Sequence, residues 1–129
     1  MAKAMGLQVE HFDDEILRSR APLALNTNIH DSGFAGSLYS AMAMTCWGLL
    51  YLKIQQRGLD ASIIHGHADV NFDAIVRSDI VAEASFASLE HHLDELADKG
   101  KTRMTMHAEV VAADQAAARL KGLYLARLN

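Results

Sequence analysis

A long uncharged stretch constrains this chain more than any other feature of its sequence. No charged side chain lies between Asp31 and Lys53, which leaves 21 consecutive uncharged residues. At about 1.5 Å per residue, a helix of that length could cross the roughly 30 Å hydrocarbon core of a bilayer. The stretch is weakly apolar for that role, because serines, glycines, a threonine and tyrosines interrupt it. A helix that is apolar on most faces and does not span a membrane must be enclosed by protein.

The segments on either side show the alternation of apolar and polar residues that is typical of strands. We predict two strands before the helix and four after it, at residues 7–12, 16–23, 61–72, 79–87, 103–112 and 118–128, with a short helix at 88–100. Asp31 or Ser32 is predicted to cap the start of the long helix, and Gly58 its end. An antiparallel sheet with one apolar face needs a cover, and the long helix needs wrapping. The sequence therefore predicts an α+β fold, one domain over residues 1–129, in which a curved sheet of about six strands wraps the helix.

Composition excludes several classes of protein. The formal net charge is −4, and no run of lysines or arginines supplies the basic face of a nucleic-acid-binding protein. The single cysteine, Cys46, excludes an internal disulfide bond and a cysteine-based zinc site. The N-terminal residues contain no apolar signal core. We therefore expect a cytoplasmic protein that binds no nucleic acid, membrane or cofactor.

One segment carries a family resemblance. Residues 21–52, "APLALNTNIHDSGFAGSLYSAMAMTCWGLLYL", resemble the thioesterase-like family named for the C-terminal domain of the YiiD protein. In that family a segment of the type A-P-L-A-P-N-x-N leads to F-A/G-G-S at the start of the helix, and a W-G pair follows within it. The residues that match are Ala21, Pro22, Leu23, Ala24, Asn26, Asn28, Phe34, Ala35, Gly36, Ser37, Trp47 and Gly48.

The resemblance extends over about residues 6–128 and is most specific between residues 21 and 48. It implies the hotdog fold, in which a curved antiparallel sheet wraps one long helix. It also implies a homodimer, or a larger assembly of such dimers, that acts on acyl-CoA or a related acyl thioester.

Thioester hydrolysis needs hydrogen-bond donors for the developing oxyanion and a group that orients or deprotonates water. The turn "GFAGS" predicts the donors, namely the backbone N–H groups of Ala35, Gly36 and Ser37 at the positive end of the helix dipole. The alternative is that Gly36 only permits a tight turn and close packing, and the resemblance favours the catalytic interpretation. Phe34 and Ala35 on this turn, and Asn26 before it, are predicted to contact the substrate.

The group that activates water is not defined by the sequence. Related phenylacetate-type thioesterases carry a histidine before the helix and a carboxylate within it. Phe34 stands at the histidine position here, and no acidic residue occurs from residue 32 to residue 54. The candidates are therefore Asn28, His30 and Asp31 beside the helix, or a residue of a partner subunit.

The segment "HGHAD" places two histidines near an aspartate on the strand at 61–72. Alternation predicts that His65, His67, Asp69 and Asn71 share the hydrated face, opposite Ile64, Gly66, Ala68, Val70 and Phe72. Two histidines are too few for a stable metal site, so we predict none. Because this strand pairs across the two-fold axis in hotdog dimers, the resemblance implies that Asp69 or Asn71 lines the partner's pocket.

The phosphates of CoA would need cationic side chains at the mouth of the pocket. Arg77 is the predicted contact, and Lys99, Lys101 and Arg103 lie at strand ends or in loops where they are also eligible. Two other functions fit the same fold. The absence of a carboxylate on the helix favours a module that binds an acyl ligand without hydrolysing it. A dehydratase or hydratase would need a histidine and an acid facing the acyl carbons, for which His30 is the available candidate.

Overall fold

The computed structural model describes residues 1–86 and 88–129. Within them, two strands precede one long helix and four strands follow it, so the predicted order of elements is confirmed. Two short helical segments, Ala2–Met5 (α1) and the 3-10 turn Leu23–Leu25, were not predicted. The remaining elements are β1 (Gln8–Phe12), β2 (Ile16–Ala21), α2 (Ala35–Gln56), β3 (Ala61–Phe72), β4 (Ile80–Ser85), α3 (Leu89–Lys99), β5 (Lys101–Ala112) and β6 (Gln115–Leu128).

The six strands form one antiparallel sheet in the order β1-β2-β4-β5-β6-β3. β1 and β3 are therefore the edge strands. The sheet packs one apolar face against α2, which contacts every strand from β2 to β6. The apolar face of β4 and β5 is buried and consists of Ile80, Ala82, Ala84, Met104, Met106, Ala108 and Val110.

α2 is enclosed on most but not all of its faces. Its buried residues are Ser37, Leu38, Ala41, Met42, Thr45, Cys46, Leu49, Leu50, Lys53 and Ile54. A stripe along the opposite side stays partly exposed and includes Ser40, Ala43, Trp47 and Tyr51, with Trp47 at 43%. Among the residues that the structure describes, no helix is both long and apolar enough to cross a bilayer.

The two ends of α2 differ in how well they were predicted. Gly58 lies just beyond the helix at φ 68°, and its N–H donates to the Gln55 carbonyl, so the predicted terminator is confirmed. The predicted caps are wrong, because the helix begins at Ala35 with Phe34 as its N-cap residue. Asp31 and Ser32 lie in the preceding loop, where that loop's own hydrogen bonds hold them.

The edge strand β3 departs from regular alternation. A β-bulge between His65 and His67 inserts Gly66 as an extra residue opposite the β6 pair Tyr124 and Leu123. The side chains before the bulge are therefore out of phase with those after it. The prediction for His65 and Ile64 is wrong: His65 faces α2, whereas Ile64 is on the outer face and 61% exposed.

Candidate active site

The start of α2 is held by backbone hydrogen bonds to two other segments. The Gly33 N–H donates to the Val76 carbonyl at 2.7 Å, and the Phe34 N–H donates to the Asn26 carbonyl at 2.8 Å. A Cβ atom at Gly33 would stand 3.3 Å from Cβ of Val76, so the absence of a side chain permits this close approach. Arg77 follows Val76 directly and is exposed, so the same contact brings its backbone to the start of the helix.

Two backbone N–H groups at this end of α2 have no hydrogen-bond partner among the described residues. They belong to Ala35 and Gly36. The prediction for the third group is wrong, because the Ser37 N–H donates to the Phe34 carbonyl at 2.9 Å. The N-terminus of a 22-residue helix carries partial positive charge. The two free N–H groups can therefore stabilise a carbonyl oxygen that gains negative charge.

The ring of Phe34 lies over the backbone of Gly36. A Cβ atom at Gly36 would overlap the ring atom Cε2 and stand 3.0 Å from Cζ. Phe34 is nonetheless 53% exposed, so its ring covers the first turn of the helix from the solvent side. A ligand that reaches the Gly36 N–H must pass beside this ring or displace it.

Asn28 organises the tight loop before the helix. Its side-chain oxygen accepts hydrogen bonds from the N–H groups of His30 (2.8 Å) and Ser32 (3.2 Å), and its Nδ2 donates to the Ser32 hydroxyl at 2.9 Å. The Asn28 N–H also donates to the Ser32 carbonyl at 2.8 Å. This hydrogen-bonded loop fixes the orientation of the carboxamide, which leaves one Nδ2 hydrogen for a ligand.

His30 and Asp31 are exposed at the tip of this loop. Among the described residues, neither side chain has a hydrogen-bond or ion-pair partner. Asp31 adopts φ 57°, a left-handed conformation that aspartate tolerates better than most residues. Both side chains are therefore unengaged in the loop that precedes the helix.

Asn26 is buried and hydrogen-bonded within the protein. It is 3% exposed, and its Nδ2 donates to the carbonyls of Met5 (2.9 Å) and Pro22 (2.8 Å). Its backbone carbonyl accepts the Phe34 N–H, as described above. Asn26 thus ties α1 to the start of α2, and a direct contact with substrate, as the sequence analysis predicted, would require this loop to open.

Exposed apolar side chains lie on the two segments that meet at the start of α2. They lie on the segments that the Gly33–Val76 hydrogen bond joins and are Ile29 (92%), Phe34 (53%), Phe72 (49%) and Ile75 (66%). Apolar groups concentrated in one region of a protein surface are typical of binding sites. We name these four residues the apolar rim.

The side chains of Asp69 and Asn71, which were predicted to contact the substrate, do not reach the N-terminus of α2 in the same chain. Asp69 and Asn71 are exposed and occupy positions on the outer face of β3, and Asp69 lies opposite Lys121 of β6. Nε2 of His67 lies 3.6 Å from Oδ1 of Asp69. In one chain these residues therefore lie apart from Ala35 and Gly36, and their predicted role depends on a partner subunit.

Sequence reasoning missed a cluster of polar aromatic residues beneath α2. The Tyr39 hydroxyl lies 3.3 Å from Nε2 of His65, and the His65 ring packs edge-on against Tyr124 at 4.4 Å between centroids. Gly122 leaves room for this ring, since a Cβ atom there would stand 3.2 Å from Cε1 of His65. The signal that could have revealed the cluster is Gly66, because a glycine inside a strand often marks a bulge.

Burial dominates the electrostatics of this cluster. It lowers the pKa of His65, with a smaller effect from His67, and Nδ1 of His65 is buried without a partner among the described residues. It raises the pKa of Cys46 to about 12 and also raises the pKa of Tyr124. The Tyr124 hydroxyl donates to the Ala43 carbonyl at 2.8 Å. At neutral pH, Cys46 is therefore a thiol rather than a nucleophilic thiolate.

Comparison with known families decides the classification. The family described as "Putative thioesterase (yiiD_Cterm)" matches residues 1–128. The chain belongs to this family. The prediction of the family and of the hotdog fold is therefore confirmed.

Solved structures support the fold. A protein of unknown function from Chlorobaculum tepidum TLS is 28% identical, with a TM-score of 0.91 over 99% of this chain and 86% of that one. A putative thioesterase from Shewanella oneidensis is 26% identical, with a TM-score of 0.88 over 99% and 87%. A thioesterase from Haemophilus influenzae shares 9% identity at a TM-score of 0.78, over 98% and 82%, which shows the fold alone.

Proposed function

We propose that this member of the YiiD_C family hydrolyses an acyl thioester, most simply an acyl-CoA, in the cytoplasm. The observation that carries the proposal is the pair of unbonded N–H groups, on Ala35 and Gly36, at the start of a 22-residue helix. Both follow the loop that carries the unengaged side chains of His30 and Asp31, and Phe34 of the apolar rim directly precedes them. Donors, polar groups and an apolar surface are the three components that an acyl-transfer site needs.

The reaction follows from this arrangement. The thioester oxygen accepts hydrogen bonds from the N–H groups of Ala35 and Gly36, which draws electrons from the carbonyl carbon. Water adds to that carbon, and its proton passes to His30, Asp31 or a group of a partner subunit, while the free Nδ2 hydrogen of Asn28 orients the water or the oxyanion. The C–S bond then breaks, the CoA thiolate leaves and takes up a proton, and the carboxylate product remains.

The proposal includes a homodimer. Within the described residues, β3 pairs with β6 on one side only, and α2 exposes the stripe that includes Ala43 and Trp47. A second copy that pairs its own β3 with this edge would cover both features and place the acyl chain between the subunits. A dimer is expected by light scattering at micromolar concentration, and a monomer there would contradict it.

Release of CoA from a series of acyl-CoAs of increasing chain length tests the activity. Turnover is expected with at least one chain length, and it should be lost when a β-branched residue replaces Gly36. A wild-type protein that hydrolyses none of the series would contradict the proposal.

A second candidate function is binding of an acyl-CoA without hydrolysis. The observation that favours it is the Phe34 ring over Gly36, together with the absence of a carboxylate on α2. Calorimetry with the same acyl-CoAs separates the two functions. Binding of an acyl-CoA that is recovered intact after long incubation supports the binding module.

A further inference from the structure

A groove of about 590 Å³ lies far from the start of α2. It forms where the first residues of β3 and β5 and the last residues of β6 meet the end of α3. Ile64 and Leu125 supply apolar surface, and four cationic side chains line the groove around them: Lys99, Lys101, Arg103 and Arg127. Its volume falls within the range of small-molecule sites, about 300–1,000 Å³.

The sheet register arranges these residues in two adjacent rows. Ile64, Leu125 and Arg103 are direct neighbours across β3, β6 and β5, and Ser62, Arg127 and Lys101 form the next row on the same face. Neighbours on one face of an antiparallel pair are about 5 Å apart. The apolar surface therefore lies directly beside the cationic groups.

The cations of the groove make no close ion pair within the described residues, and Lys99 interacts with Glu95 at longer range. Among the described residues, no carboxylate lies within ion-pair distance of Lys99, Lys101, Arg103 or Arg127. The acid in the lining, Glu95, accepts a hydrogen bond from the Thr102 hydroxyl at 2.7 Å. Four unpaired cations in a chain of net charge −4 indicate a site for an anionic ligand.

We propose that this groove binds the nucleotide end of CoA, with the adenine on Ile64 and Leu125 and the phosphates on the lysines and arginines. The proposal rests on the proposed function, since it assigns a binding site to the leaving group of that reaction. Arginine and lysine are the usual phosphate ligands in proteins, and the arginine plane also stacks on aromatic rings.

The position of the groove implies that the two parts of the ligand contact different subunits. Ile64 and Phe72 are eight residues apart on β3, which corresponds to about 26 Å along a strand. The groove is thus at the far end of β3 from the apolar rim of its own chain. Antiparallel pairing of two β3 strands would bring the groove of one subunit, on the outer face, to the same end of the joined sheet as the start of α2 in the other.

Binding of adenosine 3′,5′-bisphosphate, measured by calorimetry, tests the groove without any thioester. The variant Lys101→Gln/Arg127→Gln removes two cations of one row and is expected to weaken binding at least about tenfold. The control is Lys3→Gln/Arg18→Gln, which removes two cations of α1 and β2 outside the groove. The control should bind as the wild type does. Equal binding by all three proteins, or none by the wild type, would overturn the inference.

Kinetics separate this inference from the proposed function. In the groove variant, KM for acyl-CoA should rise about tenfold at unchanged kcat, while KM for the acyl-N-acetylcysteamine thioester, which lacks the nucleotide, stays constant. Loss of bisphosphate binding in a protein that hydrolyses neither thioester would support the groove and contradict the proposed function. Wild-type KM for acyl-CoA in the groove variant would overturn the groove and leave the hydrolase intact. If the variant is impaired only towards an acylated carrier protein, the groove docks a protein and the inference is wrong.

Mixed dimers test the arrangement across subunits. Gly36→Val removes the acyl site of one chain, and the groove variant removes the nucleotide site of the other. If the ligand contacts both subunits, refolded mixtures regain low-KM turnover, because one composite site is intact. Unchanged loss in the mixture, with heterodimers shown by mass spectrometry, would overturn the arrangement.

Discussion

The hydroxyl of Tyr39 lies 3.3 Å from Nε2 of His65, so one histidine links the first turns of α2 to the edge strand β3. Burial lowers the pKa of this histidine below its ordinary value of 6.5. The unfolded chain therefore binds a proton at His65 more readily than the folded chain does. The free energy of unfolding must fall as the pH drops through 6.5, and this loss stops below the folded-state pKa.

The first prediction is that His65 makes the protein sensitive to mild acid. Between about pH 7.5 and about pH 5.5, Tm should fall more in the wild type than in His65→Gln. At neutral pH, His65→Gln should cost about 1 kcal/mol, because it disturbs packing against Tyr124. Thermal denaturation over this pH range measures both effects. His107→Gln is the control and should keep the wild-type pH slope, since His107 is exposed on the outer face of β5, opposite Lys121, and does not contact His65. A slope in His65→Gln that matches the wild-type slope would contradict the assignment.

The second prediction concerns Gly36 and the ring above it. Gly36→Ala should abolish most turnover, because the added methyl group displaces the Phe34 ring and crowds the N–H donors. Adding Phe34→Ala removes the clash with the ring but leaves the methyl group beside the N–H groups. Turnover of acyl-CoA should stay low in the double variant, while its Tm returns towards that of Phe34→Ala. Full recovery of activity would mean that Gly36 serves only ring packing.

The third prediction separates the two roles of Asn28. Asn28→Asp keeps the oxygen that accepts the His30 and Ser32 N–H groups but loses the Nδ2 donor. It should preserve folding and lower kcat by about a hundredfold, as loss of one oxyanion-hole donor does. Asn28→Ala should lose the same activity and about 1 kcal/mol of stability as well. Near-normal kcat in folded Asn28→Asp would show that Asn28 only shapes the loop.

The fourth prediction is that neither Cys46 nor Ser37 forms a covalent acyl-enzyme intermediate. Cys46→Ala and Ser37→Ala should each keep most of the wild-type kcat, because the Cys46 thiol is buried and protonated and Ser37 has no neighbouring base. Cys46→Ala should lower stability by about 1 kcal/mol through lost packing. Steady-state kinetics on both variants, with rapid-quench analysis for an acyl-enzyme, provide the measurement. An inactive, folded variant of either residue would contradict direct attack by water.

The periodicity of apolar residues predicted the elements of this fold, because the apolar faces of the strands and the long apolar helix bury each other. It failed at β3, where the extra residue Gly66 changes the phase and turns His65 towards Tyr39. It also failed at the start of α2, because the N–H groups of Gly33 and Phe34 donate to the carbonyls of Val76 and Asn26, which fixes the helix entry and leaves Asp31 unused as a cap. Partners this far apart in sequence leave no local pattern. The residue that activates water is equally undefined by any pattern, since the candidates His30 and Asp31 lie in a loop without periodic structure.

The bulge at Gly66 has a consequence for aggregation. A straight, unpaired strand edge is a template on which unrelated chains can add, and natural proteins often interrupt such edges with bulges. The irregularity in the middle of β3 reorients the free N–H and C=O groups, so a regular foreign strand can bond along only half of the edge. A second copy of this chain carries the same irregularity and can match it. Gly66, which disturbs the side-chain pattern, thus protects the exposed edge from fibril growth and leaves it available for pairing with a second copy of this chain.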